Sequence, residues 1–215
     1  AFGSCFKLKS VTIEEGVEYI SKSMFSTCIN LTDITIPSTI TSIEDGGFFQ
    51  CESMSNLPHF ENVKNIGEMA FGHCYKLTDI TIPSCVETIG LEAFTWCKNL
   101  KKVVIGSGVT TIKRGAFSVC PSLDDVTIGD SVKIIENGAF ATTAISEITI
   151  PDSVEQISGA FSECHSLVKF KSSRASEDGR ALIFDDGRLV ALTVIGLKEY
   201  TTPKGVHTID RYTLS

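Results

Sequence analysis

Residues 71–94 read FGHCYKLTDITIPSCVETIGLEAF, and this stretch contains one complete unit of a repeat. Its terminal phenylalanines are 23 residues apart, and the same spacing recurs along the chain. Seven phenylalanines share this register and an eighth follows after a step of 21 residues: Phe2, Phe25, Phe48, Phe71, Phe94, Phe117, Phe140 and Phe161. A period of about 20 to 50 residues is the sequence signature of solenoids and repeat arrays. The chain is therefore predicted to be a stack of similar coils.

The units carry the pattern F-x-x-C-x-x-L, except that Thr143 replaces one cysteine and Met54 and Ile145 replace two leucines. Alternating apolar and polar residues follow, and in most units they end in proline or glycine, as in residues 77–83. Alternation with period 2 is typical of a half-buried strand, and proline ends a strand because it cannot donate to a ladder. A second apolar pair, Val86 and Ile89 in this unit, predicts a tight return with a short helical or 3₁₀ stretch. Since one unit cannot bury its own apolar face, neighbouring coils must stack and pair their strands in parallel.

Two segments depart from the repeat. Pro58 and His59 fall within the expected strand of the third unit, which predicts a local distortion. Residues 172–199 contain two Asp-Gly pairs that bracket apolar alternation, and such pairs are typical of hairpin turns. We predict one domain over residues 1–215, with regular repeats in 1–171, a hairpin insertion in 172–199 and a partial further repeat in 200–215.

The consensus F-x-x-C-x-x-L-x-x-I-x-I-P-x-x-V-x-x-I-G-x-x-A-F resembles the BspA-like leucine-rich repeat, and it covers nearly all of the chain. The resemblance implies an α/β fold: a right-handed leucine-rich-repeat solenoid with a curved parallel sheet and about eight to nine coils with helical or 3₁₀ returns. It also implies a cell-surface or secreted location and a role in adhesion. We therefore expect the chain to be part of a larger surface protein.

Composition argues against two classes of partner. The formal net charge of −7 opposes the phosphate attraction that nucleic-acid binding requires, and it gives an anionic membrane no cationic surface to attract. The sequence has no run of about 18 apolar residues, so we expect no direct membrane insertion in these residues. Nucleic acid and membrane are therefore not predicted partners.

Seven of the eight cysteines occupy one repeat position. Copies of one position point in the same direction, so we predict an inward ladder of free thiols, with strained bridges between adjacent coils as the alternative. Cys85 lies outside this ladder and is predicted to be exposed.

No catalytic, cofactor or metal motif is present. His73-Cys74 and Cys164-His165 are adjacent pairs and do not have chelating spacing. The histidines are most simply surface residues. Asp-Gly-Arg occurs at Asp178 and at Asp186, and hairpin turn chemistry is favoured over receptor binding as its explanation. We therefore predict no cofactor, no metal and no enzymatic activity.

The concave face of the predicted solenoid is the natural binding surface, because strand positions there form outward columns. The candidate partner-binding residues are Asp33, Thr35, Asp79, Thr81, Lys102, Asp125, Thr127, Glu147, Thr149 and Lys169. The alternative explanation is that threonine favours strands and aspartate favours solubility.

Three functional hypotheses follow. The first is a non-catalytic recognition or adhesion module whose partner is a protein or glycan, for example of the host extracellular matrix or another cell surface. The second is a structural spacer or self-association module, in which the coil ends at Phe2 and Leu214 stack end to end. The third, a degradative enzyme, requires a clustered acid pair or nucleophile that the sequence does not offer.

Overall fold

The computed structural model describes residues 2–60, 62–211 and 213. Over this part the chain forms a parallel β-solenoid of about nine turns, so the predicted stack of coils is confirmed. A regular coil has three sides, which are a first strand, a shorter second strand and a run of turns that carries the repeat phenylalanine.

The strands of the regular coils are two to four residues long. In chain order they are β1 (Ser10–Thr12), β2 (Tyr19–Ile20), β3 (Asp33–Thr35), β4 (Ser42–Ile43), β5 (Asn65–Ile66), β6 (Asp79–Ile82), β7 (Thr88–Ile89), β8 (Lys102–Ile105), β9 (Thr111–Ile112), β10 (Asp125–Thr127), β11 (Ile134–Ile135), β12 (Glu147–Thr149), β13 (Gln156–Ile157) and β14 (Lys169–Lys171). All of their pairings are parallel, because each coil repeats the direction of the coil before it.

The second strands form one continuous sheet of seven strands, in the order β13-β11-β9-β7-β5-β4-β2. Each strand in this sheet buries one isoleucine, such as Ile43, Ile66 and Ile89, which pair in register with one another. This side therefore holds seven successive coils in register.

The third side consists of turns, and the predicted helical or 3₁₀ returns are wrong. In each regular coil, the residue two positions before the phenylalanine and the residue two positions after it have positive φ, as at Glu92 and Trp96 around Phe94. A right-handed helix requires negative φ throughout, whereas a type II turn requires positive φ at its third residue. Hydrogen bonds from Ala93 N–H to Gly90 C=O and from Thr95 N–H to Glu92 C=O close successive turns.

The repeat phenylalanines form a stack through the centre of the solenoid. Successive rings from Phe2 to Phe161 are nearly parallel, with centroids 5.2–5.8 Å apart. Offset stacking at this separation adds to the stabilisation from burial. The interior is thus one elongated core shared by all of these coils.

The repeat cysteines are free thiols and line this core as predicted, except for Cys5 in the first coil, which is exposed. Six are buried, and each donates from Sγ to the phenylalanine carbonyl of the preceding coil at 3.0–3.4 Å: Cys28, Cys51, Cys74, Cys97, Cys120 and Cys164. Burial raises the pKa of these thiols, to about 12 for Cys51 and for Cys120. Thr143 replaces cysteine in one coil and donates to the Phe140 carbonyl at 2.9 Å.

The prediction for Cys85 is wrong. Cys85 is partly buried and packs against the core, with Sγ 3.7 Å from the Phe60 carbonyl oxygen. This contact joins Cys85 to the third coil, and it follows from tertiary structure and not from the repeat position.

The hairpin predicted near the C-terminus is confirmed. Strands β15 (Ala181–Ile183) and β16 (Arg188–Leu192) pair antiparallel, and Gly187 has a φ of 77° in the turn between them. Strand β17 (Thr208–Ile209) then pairs with β16 in parallel. The hairpin thus takes the place of a coil, and the resumed repeat pairs with it.

Candidate partner-binding face

The first strands present two outward columns of mainly polar side chains, which we call the sheet face. It contains all ten predicted binding residues, and every one of them is exposed. The alternating residues between the columns, such as Ile80, Val103 and Ile148, are almost fully buried. Binding chemistry on this side therefore depends on the polar columns, because the apolar residues of the strands serve the core.

Opposite charges pair between neighbouring coils on the sheet face. The Lys102 and Asp125 side chains are 2.7 Å apart, and the Lys171 ammonium is 2.5 Å from the Glu147 carboxylate. Asp125 raises the pKa of Lys102, and Lys171 lowers the pKa of Glu147, chiefly through these hydrogen bonds. Such exposed pairs contribute little to stability. Their side chains therefore remain available to bind a partner.

The third coil lacks a first strand, which is the local distortion expected from Pro58 and His59. Residues 56–60 form no strand, so β3 and β6 belong to different sheets. Proline cannot donate to a ladder, which accounts for the interruption. A shallow depression of about 410 Å³ lies at this break and is lined by Asn56, Leu57, Pro58, His59, Phe60, Asp79, Ile80, Thr81 and Pro83.

A second break separates β10 from β12, which also belong to different sheets. The corner before β12 is one residue shorter than in other coils, because Thr143 and Ile145 are two residues apart whereas Cys120 and Leu123 are three apart. A larger open depression of about 620 Å³ lies here and is lined by Asp124, Asp125, Val126, Thr127, Ser146, Glu147, Ile148, Thr149 and Lys171.

These breaks determine which candidate residues lie together. Asp125, Thr127, Glu147 and Thr149 line the same depression, and Asp79 and Thr81 line the other. Asp33 and Thr35 lie in β3, beyond the third-coil break. The central sheet of β6, β8 and β10 therefore carries the most compact group of candidates, with one depression at each edge.

The described residues contain no group of three His, Cys, Asp or Glu side chains placed to hold a metal ion. The same residues include no apolar helix of membrane-spanning length. His73, which the sequence indicated only as a surface residue, stacks instead on Trp96 on the turn side. Its sequence signal is the position two residues after the repeat phenylalanine, which Trp96 shares.

A parallel β-solenoid with a stacked phenylalanine core and a polar sheet face defines a leucine-rich-repeat protein. The chain belongs to the family of BspA type leucine rich repeat regions, whose model matches residues 1–120 and 87–215 with six copies. A search of curated proteins found no match.

Solved structures support the same class. The chain is 27% identical to the leucine-rich repeat protein TpLRR of T. pallidum, with 66% of each chain covered and a TM-score of 0.61. It is 25% identical to a leucine rich cell surface protein of Faecalibacterium prausnitzii, covering 82% of this chain and 63% of that one with a TM-score of 0.50. The pneumococcal vaccine antigen PcpA shares the fold, at 23% identity over 95% of this chain and 52% of that chain, with a TM-score of 0.59. The chain thus spans about two thirds of the first two proteins.

Proposed function

We propose that the chain is a non-catalytic recognition module of a cell-surface or secreted protein, and that its sheet face binds a protein or glycan partner. The observation that carries the proposal is the exposed polar surface of β6, β8 and β10, with an open depression at each edge. The similarity to a protein described as a leucine rich cell surface protein supports the location.

The polar character of the larger depression favours ligands that hydrogen-bond. Thr127, Ser146 and Thr149 place hydroxyl groups there, and Asp125 and Glu147 place carboxylates. Hydroxyl groups both donate and accept, and carboxylates accept, so the lining matches the hydroxyl groups of a glycan or the backbone of a peptide. Displacing surface water from such groups costs little when the ligand replaces its hydrogen bonds.

Charge reversal on the central sheet tests the proposal. The double variant Asp79→Lys and Asp125→Lys is expected to weaken binding at least about tenfold, because loss of one charge-assisted contact is worth roughly 1.4 kcal/mol. Binding is measured against purified extracellular-matrix proteins and a printed glycan panel. The thermal midpoint should fall by less than about 5 °C, since both side chains are exposed and the two new lysines repel only the exposed Lys102 between them.

The matched control is Glu87→Lys with Glu155→Lys, which changes the net charge equally away from the sheet face. Both residues are exposed and pair with a lysine, at 3.7 Å and 3.2 Å. The control should keep wild-type binding. Equal binding by both double variants, or no binding of the wild type to any member of the panel, contradicts the proposal.

A second candidate function is end-to-end self-association, in which apolar side chains of the first coil, such as Phe6, pack against another copy of the chain. Leu214, at the other predicted end, lies outside the described residues. Sedimentation velocity over a range of concentrations, with Phe6→Ser as the test variant, distinguishes concentration-dependent assembly of the chain from a monomeric recognition module.

A further inference from the structure

Four aromatic rings lie on the turn side, outside the central phenylalanine stack. The Phe49 ring meets the His73 ring edge-on at 5.2 Å, and His73 stacks on Trp96 at 5.6 Å with an interplanar angle of 4°. Tyr75 is hydrogen-bonded to His73 Nδ1 at 2.9 Å, and the Lys98 ammonium lies 4.7 Å from the Tyr75 ring. Trp96 is 41% exposed and is the only tryptophan in the chain. We call these four rings the aromatic patch.

Two residues of the aromatic patch have a backbone conformation that glycine adopts more readily than other residues. His73 and Trp96 have φ of 60° and 61°, a region that disfavours residues with a Cβ atom. At the matching position before the phenylalanine, four of seven coils use glycine: Gly46, Gly115, Gly138 and Gly159. At the position two residues after the phenylalanine, none of the eight coils has glycine. Side chains at this position are therefore present despite their conformational cost.

A groove of about 240 Å³ adjoins Phe49 on the same side. It is lined by Lys22, Ser23, Ser26, Asp45, Gly46, Phe49, Glu68 and Met69. Phe49 and Met69 give it an apolar wall, and two carboxylates give it an acidic rim.

The Asp45 and Glu68 carboxylates differ in the ion pairs and hydrogen bonds that they form. Asp45 pairs with Lys22 at 3.4 Å and accepts a hydrogen bond from the Glu68 N–H at 2.9 Å. Within the described part of the chain, the Glu68 carboxylate forms no ion pair. The groove therefore combines an aromatic face with an unneutralised negative charge, which is complementary to a cationic side chain.

We propose that the aromatic patch and this groove form a second binding surface, for a protein segment that carries an arginine beside an apolar side chain. The guanidinium enters the groove between the Phe49 ring and the Glu68 carboxylate, and the apolar side chain covers His73 and Trp96. Arginine fits better than lysine because its planar group stacks on a ring while it donates to a carboxylate. Exposed aromatic residues with a polar rim are also the composition that protein interfaces favour at their centre.

Glycan binding is less favoured on this side than on the sheet face. His73 stacks on one face of the Trp96 ring, so a sugar could use only the other face of that ring. The sheet face has polar groups in its larger depression, whereas the turn side has aromatic rings, and the two surfaces are thus suited to different partners. The second site does not depend on the first.

The test uses a short capped peptide, Ser-Arg-Gly-Leu-Ser, and the same peptide with citrulline in place of arginine. Titration of the ¹⁵N-labelled chain by NMR is expected to shift amides of residues 44–50 and 67–73 with the arginine peptide. Citrulline keeps the shape and removes the charge, so its peptide should bind at least about tenfold more weakly. The fluorescence of Trp96 provides a second readout, since the chain has no other tryptophan.

Glu68→Gln should weaken binding of the arginine peptide by a similar factor, and Trp96→Gln should weaken binding of both peptides. Glutamine is compatible with the backbone at position 96, because Gln50 occupies the equivalent position of the third coil with a φ of 57°. Glu87→Gln, an exposed carboxylate on another side, serves as the control and should change nothing. Equal binding of the two peptides, shifts confined to the sheet face, or an unaffected Glu68→Gln variant overturns the proposal.

Discussion

The sheet face and the turn side are built by the same repeat, yet their hydrogen-bond ladders differ. On the sheet face the first strands are divided among three sheets, β1-β3, β6-β8-β10 and β12-β14. On the turn side, each repeat phenylalanine from Phe2 to Phe140 donates its N–H to the next coil at 2.8–2.9 Å, and this ladder also passes through the third coil. The coils are therefore held together even where the sheet face is interrupted.

This difference separates the structural part of the repeat from the part that is free to vary. The turn side and the second strands fix the spacing of the coils. A proline or a deleted residue near a first strand therefore removes strand pairing locally, whereas the coils remain stacked. Both depressions on the sheet face lie at such interruptions. A solenoid can thus acquire recesses for ligands without losing its core.

The largest expected effect is the loss of one core ring. Phe94→Ala removes a fully buried side chain that stacks on Phe71 at 5.2 Å and on Phe117 at 5.3 Å. We expect a loss of about 3–5 kcal/mol in the free energy of unfolding, because the cavity cannot collapse between rigid coils. Val104→Ala, in the outward column of the sheet face, should cost less than about 1 kcal/mol.

Urea unfolding followed by far-ultraviolet circular dichroism measures both variants. A Val104→Ala variant that is destabilised as much as Phe94→Ala would contradict this expectation. In that case the sheet face would contribute to coil stacking as strongly as the core does.

A smaller loss of stability is expected from the positive φ of the turn side. Gly138 has a φ of +65°, and a Cβ atom there would have its nearest neighbour 3.7 Å away at Ala141 Cβ, so there is room for it. Gly138→Ala should therefore cost about 1 kcal/mol through backbone strain alone. Thr149→Ala, on the exposed sheet face, should stay within about 0.5 kcal/mol. Thermal unfolding of the two variants checks this, and an unchanged midpoint for Gly138→Ala would show that positive φ is not costly at this position.

The sequence predicted those features that depend on repetition. The 23-residue register of the phenylalanines indicated the stack, the cysteine position indicated buried thiols, and Pro58 indicated the interruption in the third coil. The first two follow because a residue copied once per coil meets its own copy in the next coil, and the third follows because proline cannot donate to a strand ladder.

What the sequence did not predict depends on backbone conformation and on contacts between different repeat positions. The sequence predicts helical returns here because none of the eight residues with positive φ after the phenylalanines, such as Val119, is a glycine, the residue that would indicate such a backbone conformation. The aromatic patch joins Phe49, one residue after its repeat phenylalanine, to His73, two residues after its own. Periodicity alone does not place different positions of neighbouring coils together.

The smallest expected effect concerns His73, the charge-sensitive member of the aromatic patch. Burial and then the nearby Lys98 ammonium lower its pKa below the usual 6.5, and Glu52 opposes them. Folding therefore favours the neutral imidazole, so this contribution to stability is complete above pH 6.5 and declines as the pH falls from 6.5 toward the lower folded value. His73→Gln should make the thermal midpoint fall less between pH 7.5 and pH 5.5 than it does in the wild type. Lys98→Gln should reduce the same dependence by removing the neighbouring charge, and identical pH profiles for all three proteins would show that the patch does not sense protonation.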